Sequence, residues 1–211
     1  MSKMKIIFWD FDGVILNSNE VRDNGFEIVL KDFPKNQVEL LLNYHRQNGG
    51  LSRYVKFRHF FEVIREEKVS KDKIRTYAQL FSDIMLNQLK NKDLLIKDSL
   101  KFIKENKEKY IMHIVSGSDG DELNLLCQAL EIDGFFKTIN GSPTPKNDLV
   151  KNILNEYTYN PKQCILIGDS VNDYDAAIKN NIKFLGYNYH NSDETIIKLD
   201  SFENYDLDNY F

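Results

Sequence analysis

Two carboxylates one residue apart, Asp10 and Asp12, follow the apolar run Ile6-Ile7-Phe8-Trp9, and Gly13 comes directly after them. Along a strand, side chains at i and i+2 share a face, so both acids point the same way for as long as the strand lasts. Carboxylates that close repel each other and need a cation, a shared proton or divided roles to coexist. That is a costly arrangement for a purely structural purpose, and it reads as a reaction centre. Three more sets of polar residues have the same setting. Ser116-Gly117 ends the apolar stretch 110–115, Lys146 ends the loop Gly141-Ser142-Pro143-Thr144-Pro145-Lys146, and Asp169 and Asp173 follow Cys164-Ile165-Leu166-Ile167.

These residues can meet only if the chain folds so as to gather its strand ends. Residues 4–9 read as a first strand, apolar throughout as a central parallel strand must be. From 98 onward, helical and strand patterns alternate: a helix at 98–107, strands at 110–115, 135–139, 164–167 and 183–187, and helices over Leu123-Leu130, Leu149-Tyr157 and Ala176-Ile178. Such alternation predicts an α/β fold with a doubly wound parallel sheet, in which ligands bind beyond the carboxyl ends of the strands. Between about residues 19 and 90 the period changes. Phe26, Val29, Leu30 and Phe33, then Val38, Leu41, Leu42 and His45, then Tyr54, Phe57, Phe61 and Ile64, then Tyr77, Leu80, Phe81 and Ile84 all recur at helical spacing. Pro34 and Gly49-Gly50 break the series. The organisation that follows is an α/β core of residues 1–17 and 92–211 interrupted by a helical domain of residues 18–91. The tail 200–211 is acidic and aromatic and reads as a last helix or an edge strand.

The chain has 211 residues, 42% hydrophobic and 28% charged, which suits a globular protein. A net charge of −4, with basic residues dispersed, gives no attraction for nucleic acid or an anionic membrane surface. The first acid interrupts the apolar N-terminal run too early for a signal peptide, and no stretch is long enough to span a bilayer, so a cytoplasmic location is expected. Cys127 and Cys164 sit in apolar settings and read as buried, reduced thiols. His45, His59, His113 and His190 share no ligand spacing and read as core or surface residues.

Asp-x-Asp-Gly after the first strand, a strand ending in Ser-Gly, a loop lysine, and Gly168-Asp169 with Asp173 after a later strand resemble the haloacid dehalogenase-like hydrolases. The helical insertion is similar to the cap of the subclass that includes phosphoglycolate phosphatase and β-phosphoglucomutase. The resemblance implies that Asp10 is a nucleophile forming an aspartyl-phosphate. It implies that Asp12 is the general acid and base, a role the C–Cl-cleaving members lack. Ser116 and the Gly117 amide would bind phosphoryl oxygens at a helix N-terminus, though Ser116 also reads as a plain N-cap. Lys146 would neutralise the charge. Mg²⁺ would be held by the Asp10 carboxylate, the Asp12 backbone carbonyl and Asp169, with Asp173 acting through water or by orienting Lys146.

The cap offers one further candidate. Ser52 is a good N-cap, which puts Arg53 in a first turn where the helix dipole disfavours a cation; an anion bound beside it would relieve that cost. Its position is similar to that of the subclass's substrate-specificity arginine. Arg22, just past the first motif, is a lesser candidate and matches the place where the mutase carries a histidine. The reading is a Mg²⁺-dependent phosphatase of a small organic phosphate, a sugar phosphate or phosphoglycolate being candidates. The alternatives are a phosphomutase and a non-catalytic phospho-accepting module.

Overall fold

The computed structural model describes residues 4–189, 194–203 and 205–211; His190 lies outside them. Among the described residues, the strands β1 (Ile6–Trp9), β2 (Ile111–Asp119), β3 (Thr138–Ser142), β4 (Cys164–Gly168), β5 (Lys183–Tyr187) and β6 (Lys198–Leu199) form one parallel sheet. Their order is β3-β2-β1-β4-β5-β6. β1 is central, with Phe8 registered against His113 on one side and Leu166 on the other. The chain builds outward from β1 through β2 and β3, then returns to build β4 to β6 on the other side. That reversal beside β1 opens a crevice at the carboxyl ends of β1 and β4.

Alternation along β1 divides the core into two layers. Ile7 and Trp9 pack into the layer that holds Phe102 and Ile103 of α5 (Lys97–Asn106) and Leu123, Leu126 and Cys127 of α6 (Gly120–Ala129). Ile6 and Phe8 face Val150 and Ile153 of α7 (Lys146–Glu156) and Ala176 and Ala177 of α8 (Val171–Lys179). Each large side chain removed from water here contributes roughly 1.5–3 kcal/mol, so β1 is held from both faces and its end is a rigid platform. Both cysteines are buried free thiols.

Between β1 and β2 the chain forms a helical cap: α1 (Asn19–Val29), α2 (Lys35–Gln47), α3 (Arg53–His59) and α4 (Lys71–Gln88). A single widened turn, Phe60–Ile64, extends α3. Phe26 packs against Phe57 and Phe81, with ring centroids 5.3 and 4.4 Å apart, which closes the cap's own core. Ser52 and Ser70 cap α3 and α4 through the amides of Val55 and Lys73. The two crossings between core and cap run side by side, with Asn17 N donating to Leu94 O and Ile96 N to Ile15 O.

Some boundaries differ from the sequence reading. β3 lies at 138–142 rather than 135–139, because Asp133–Phe135 coils into a 3₁₀ turn and Thr138 is the residue that pairs with His113. β2 continues past 115 to Asp119, across an irregularity in its ladder with β3. Within the tail 200–211 the chain forms a 3₁₀ turn, Leu207–Tyr210; the short edge strand β6 lies just before the tail, at Lys198–Leu199.

Candidate active site

The ends of β1, β2 and β4 meet in a cavity of about 420 Å³ that the cap roofs; Lys146 and Asp173, paired beside Asp10, are not among the residues that line it. Its walls include Asp10, Asp12, Ser116, Gly117 and Asp169 from the core, and Arg22, His45, Arg53 and Lys56 from the cap.

Asp10 is the first residue beyond β1, and its amide donates to Ile167 O at 2.9 Å, which ties it to β4. The side chain is buried, and Lys146 Nζ lies 2.7 Å from Asp10 Oδ1 as an ion pair not aligned as a hydrogen bond. Lys146 also donates to Asp173 Oδ1. Lys146 is not a loop lysine: it is the first residue of α7, directly after Pro145, and it is buried. A cation at a helix N-terminus opposes the dipole, and two carboxylates offset that here. Asp173 is the third residue of α8; its Oδ2 accepts from the Ser170 amide and hydroxyl at 3.1 and 2.6 Å. One oxygen thus caps α8 and the other orients Lys146.

Asp10, Asp169 and Asp173 each present an oxygen within 4.8 Å of the others. Burial, then the charge of Asp173, raises Asp10 well above the carboxylate range and Asp169 to about 7, against the opposing pull of Lys146. One lysine therefore does not offset this acid cluster. Hard, buried, convergent oxygens carrying excess negative charge fit a divalent cation such as Mg²⁺. Gly13 fits the same reading: it has φ +75°, and a Cβ there would run into the Asp169 carboxylate. The missing side chain leaves the space in which that carboxylate sits.

Asp12 lines the same cavity as Asp10, but the shared face expected while a strand lasts does not reach either acid. The strand ends at Trp9, and the Asp12 side chain turns to other partners. Its Oδ1 accepts from Arg22 Nε at 2.6 Å and from Ser18 Oγ, and its Oδ2 from Ser118 Oγ at 2.6 Å. Burial alone would raise Asp12, but the Arg22 guanidinium and these hydrogen bonds hold its carboxyl below the usual range. The chain resolves its carboxylate conflict by giving the two acids opposite electrostatic settings.

Ser116 is buried on β2, four residues before α6 begins, so it is neither the N-cap nor at the helix N-terminus. That cap is Asp119, whose side chain accepts from the amides of Asp121 and Glu122. Ser116 Oγ instead accepts from the Ser118 amide at 3.1 Å. Gly117 meets the cap directly: a Cβ there would collide with the Gly50 carbonyl. Gly50 has φ +78°, and the Gly49 carbonyl accepts from Asn172 Nδ2 at 2.6 Å. The glycine turn that breaks the helical pattern is therefore seated on the end of β2 and the start of α8, and the cap is closed.

Arg53 is the first residue of α3, and the anion its position calls for is internal. Its guanidinium pairs with Glu122 of α6, donates to Ser82 Oγ at 2.6 Å and stacks over Phe81 at 4.7 Å. Glu122 also accepts from Arg22 Nη1 at 3.2 Å. Ser18, Ser118, Glu122, His45 and Lys56 are site residues that sequence reasoning did not single out. Only His45 left a trace, as the last member of an inward-facing set on α2.

A family model described as haloacid dehalogenase-like hydrolase matches residues 6–187. None of the curated protein sequences matches the chain. Among solved structures it is similar to a predicted phosphoglycolate phosphatase from Haemophilus somnus (TM-score 0.73, 21% identity, 96% of each chain covered). It is also similar to β-phosphoglucomutase from Clostridium difficile (0.75, 16%, 98% of this chain and 95% of that). A third is the HAD-hydrolase YfnB of Bacillus subtilis bound to magnesium (0.68, 14%, 96% of each). At these identities the likeness to the structures is one of fold. Among the described residues no helix is long and apolar enough to cross a membrane.

Proposed function

The chain belongs to the haloacid dehalogenase-like hydrolase family, and on that premise we propose that it is a Mg²⁺-dependent phosphatase of small organic phosphate monoesters. What supports this reading most is the buried convergence of Asp10, Asp169, Asp173 and Lys146 at the crevice beside β1. An Asp10 oxygen attacks phosphorus while the bond to the ester oxygen breaks, and Asp12 delivers a proton to that leaving oxygen. Water then attacks the aspartyl-phosphate, Asp12 takes its proton, and the Asp10–phosphorus link breaks to release inorganic phosphate. Ser116 Oγ, the Gly117 amide and Lys146 bind the phosphoryl oxygens throughout. The Asp10 carboxylate, the Asp12 backbone carbonyl and Asp169, with Asp173 beside them, would hold Mg²⁺, which would supply charge screening between the phosphoryl group and its carboxylate attacker. The cap, taken as residues 18–91 inserted in a core of 1–17 and 92–211, moves about its paired crossings to admit substrate and exclude water. Arg53 lines the substrate side of the cavity and shapes it through Glu122.

The test is a phosphate-release screen across small phosphate esters with Mg²⁺. Asp10→Asn lowers turnover by on the order of 10³-fold or more, and EDTA abolishes it. Undiminished release by Asp10→Asn would overturn the mechanism, and EDTA-resistant release would remove the metal. Isomerised ester without free phosphate would identify a phosphomutase instead.

A further inference from the structure

The cap side of the cavity holds more cationic charge than its own acids take up. Arg46 is paired with Asp23 at 2.8 Å, and Arg53 with Glu122. Arg22 spans Asp12 and Glu122, yet its Nη2 is buried with no hydrogen-bond partner among the described residues. Lys56, on α3, is 4% exposed, and among the described residues no carboxylate forms an ion pair with it. Among the described residues its one direct polar partner is His45 Nδ1, at 2.7 Å; His45 Nε2 in turn lies 3.5 Å from Asp23 Oδ1. If the far nitrogen of His45 carries the proton toward Asp23, Nδ1 is the acceptor for Lys56. The lysine then has donors to spare.

A buried ammonium without a counter-anion is expensive, and proteins rarely keep one. Burial and the neighbouring Arg22 accordingly push Lys56 down to about 7. Burial and Lys56 itself push His45 down to about 2, so the imidazole is neutral and brings no charge of its own. Lys56 and Arg22 line the same cavity as Asp10, and the Arg22 charge acts on both Lys56 and His45. Two under-used cationic donors thus face one space, opposite the acid cluster.

Building on the phosphatase reading, we propose that the substrate carries a second anionic group beyond the reacting phosphate, and that Lys56, with the spare Nη2 of Arg22, receives it. Specificity for that group then rests on Lys56 rather than Arg53, whose guanidinium is already committed to Glu122, Ser82 and the Phe81 ring. A carboxylate or a second phosphate offers the required oxygens. The Asp23–His45 pair fixes where the ammonium stands.

The test uses matched phosphate esters with a graded series of carbon spacers, each ending in a carboxylate, a second phosphate or a neutral amide. With the full chain and Mg²⁺, an anion-terminated ester is preferred over its amide by about tenfold or more in kcat/KM, carried mainly by KM. Lys56→Met brings that ratio close to one, and Lys56→Arg restores part of it. The carboxylate and phosphate arms identify which anion the site takes. The same ligands are titrated by calorimetry into Asp10→Asn, with and without Lys56→Met, which reads recognition without turnover. Hydrolysis with no anion preference, or a preference that survives Lys56→Met, overturns the proposal and leaves the phosphatase reading intact. Lys56-dependent binding without hydrolysis of any ester does the reverse.

Discussion

At the scale of single residues, the site works by separating two carboxylates that the sequence sets side by side. Asp10 stands among other acids and Lys146, whereas Asp12 has Arg22, Ser18 and Ser118 around it and is held as an anion. In the proposed mechanism that state suits the half of the cycle in which Asp12 would take a proton from water, and the other half would require Asp12 to be protonated first. Removing the Arg22 charge raises the Asp12 carboxyl, so the acid limb of the pH–rate profile for Arg22→Met moves to higher pH by roughly a unit or more. A limb that stays in place in a pH series would show that Asp12 is not the group titrating there. Lys146 illustrates what spacing alone leaves open. That it would come to the strand ends was legible from its place after the third strand, and it stands beside Asp10. Its burial, and the two carboxylates that bring it about, depend on residues 27 and 136 positions away.

At the scale of elements, the strands were easier to read than what happens beyond their ends. β1 and β4 are uninterrupted apolar runs buried on both faces, and each appears almost where the pattern puts it. β3 slipped by three residues because Phe135 and Phe136 look like strand residues by type, yet the ladder with β2 begins at Thr138. The ion-pair bridge from α6 to α1 and α3 left no local signature, since Glu122 meets residues 100 and 69 positions distant. Likewise, the spacing of Val38, Leu41, Leu42 and His45 shows which way α2 faces, but not that the inward side ends in a polar cavity. The Glu122 bridge has a measurable consequence. Glu122→Ala leaves Arg53 buried without its acid and Arg22 with Asp12 alone, and lowers unfolding stability by about 3–5 kcal/mol, read by urea denaturation. A loss under about 1 kcal/mol would mean that water or another acid replaces Glu122.

At the scale of the whole molecule, buried imidazoles tie stability to pH. His113 on β2 is fully buried, stacks on Phe8 and contacts Thr138 Oγ1 at 2.7 Å; burial, with Lys137 nearby, pushes it down to about 4. Its folded value lies below its unfolded value near 6.5, so the unfolded chain binds the proton first. Stability is therefore full above that unfolded value and is lost as pH falls toward the folded one. Between about pH 7.5 and about pH 5 the His113 share of the loss is about 2 kcal/mol. His45 adds to it in the same direction. Denaturant midpoints measured at the two pH values in the parent chain and in His113→Asn check this: the variant loses less on acidification. An equal loss in both would assign the effect elsewhere.

The seat of the glycine turn has one more implication. Gly50 rests on Gly117, where a Cβ would run into the Gly50 carbonyl; Gly50 itself has a φ of +78° that strains any side chain, and Gly49 is held through its carbonyl. A junction made of bare backbone cannot be tuned by swapping side chains. Any substrate preference that the cap imposes is therefore adjusted through the side chains that hang from the turn, at residues 51–56, and not at the turn.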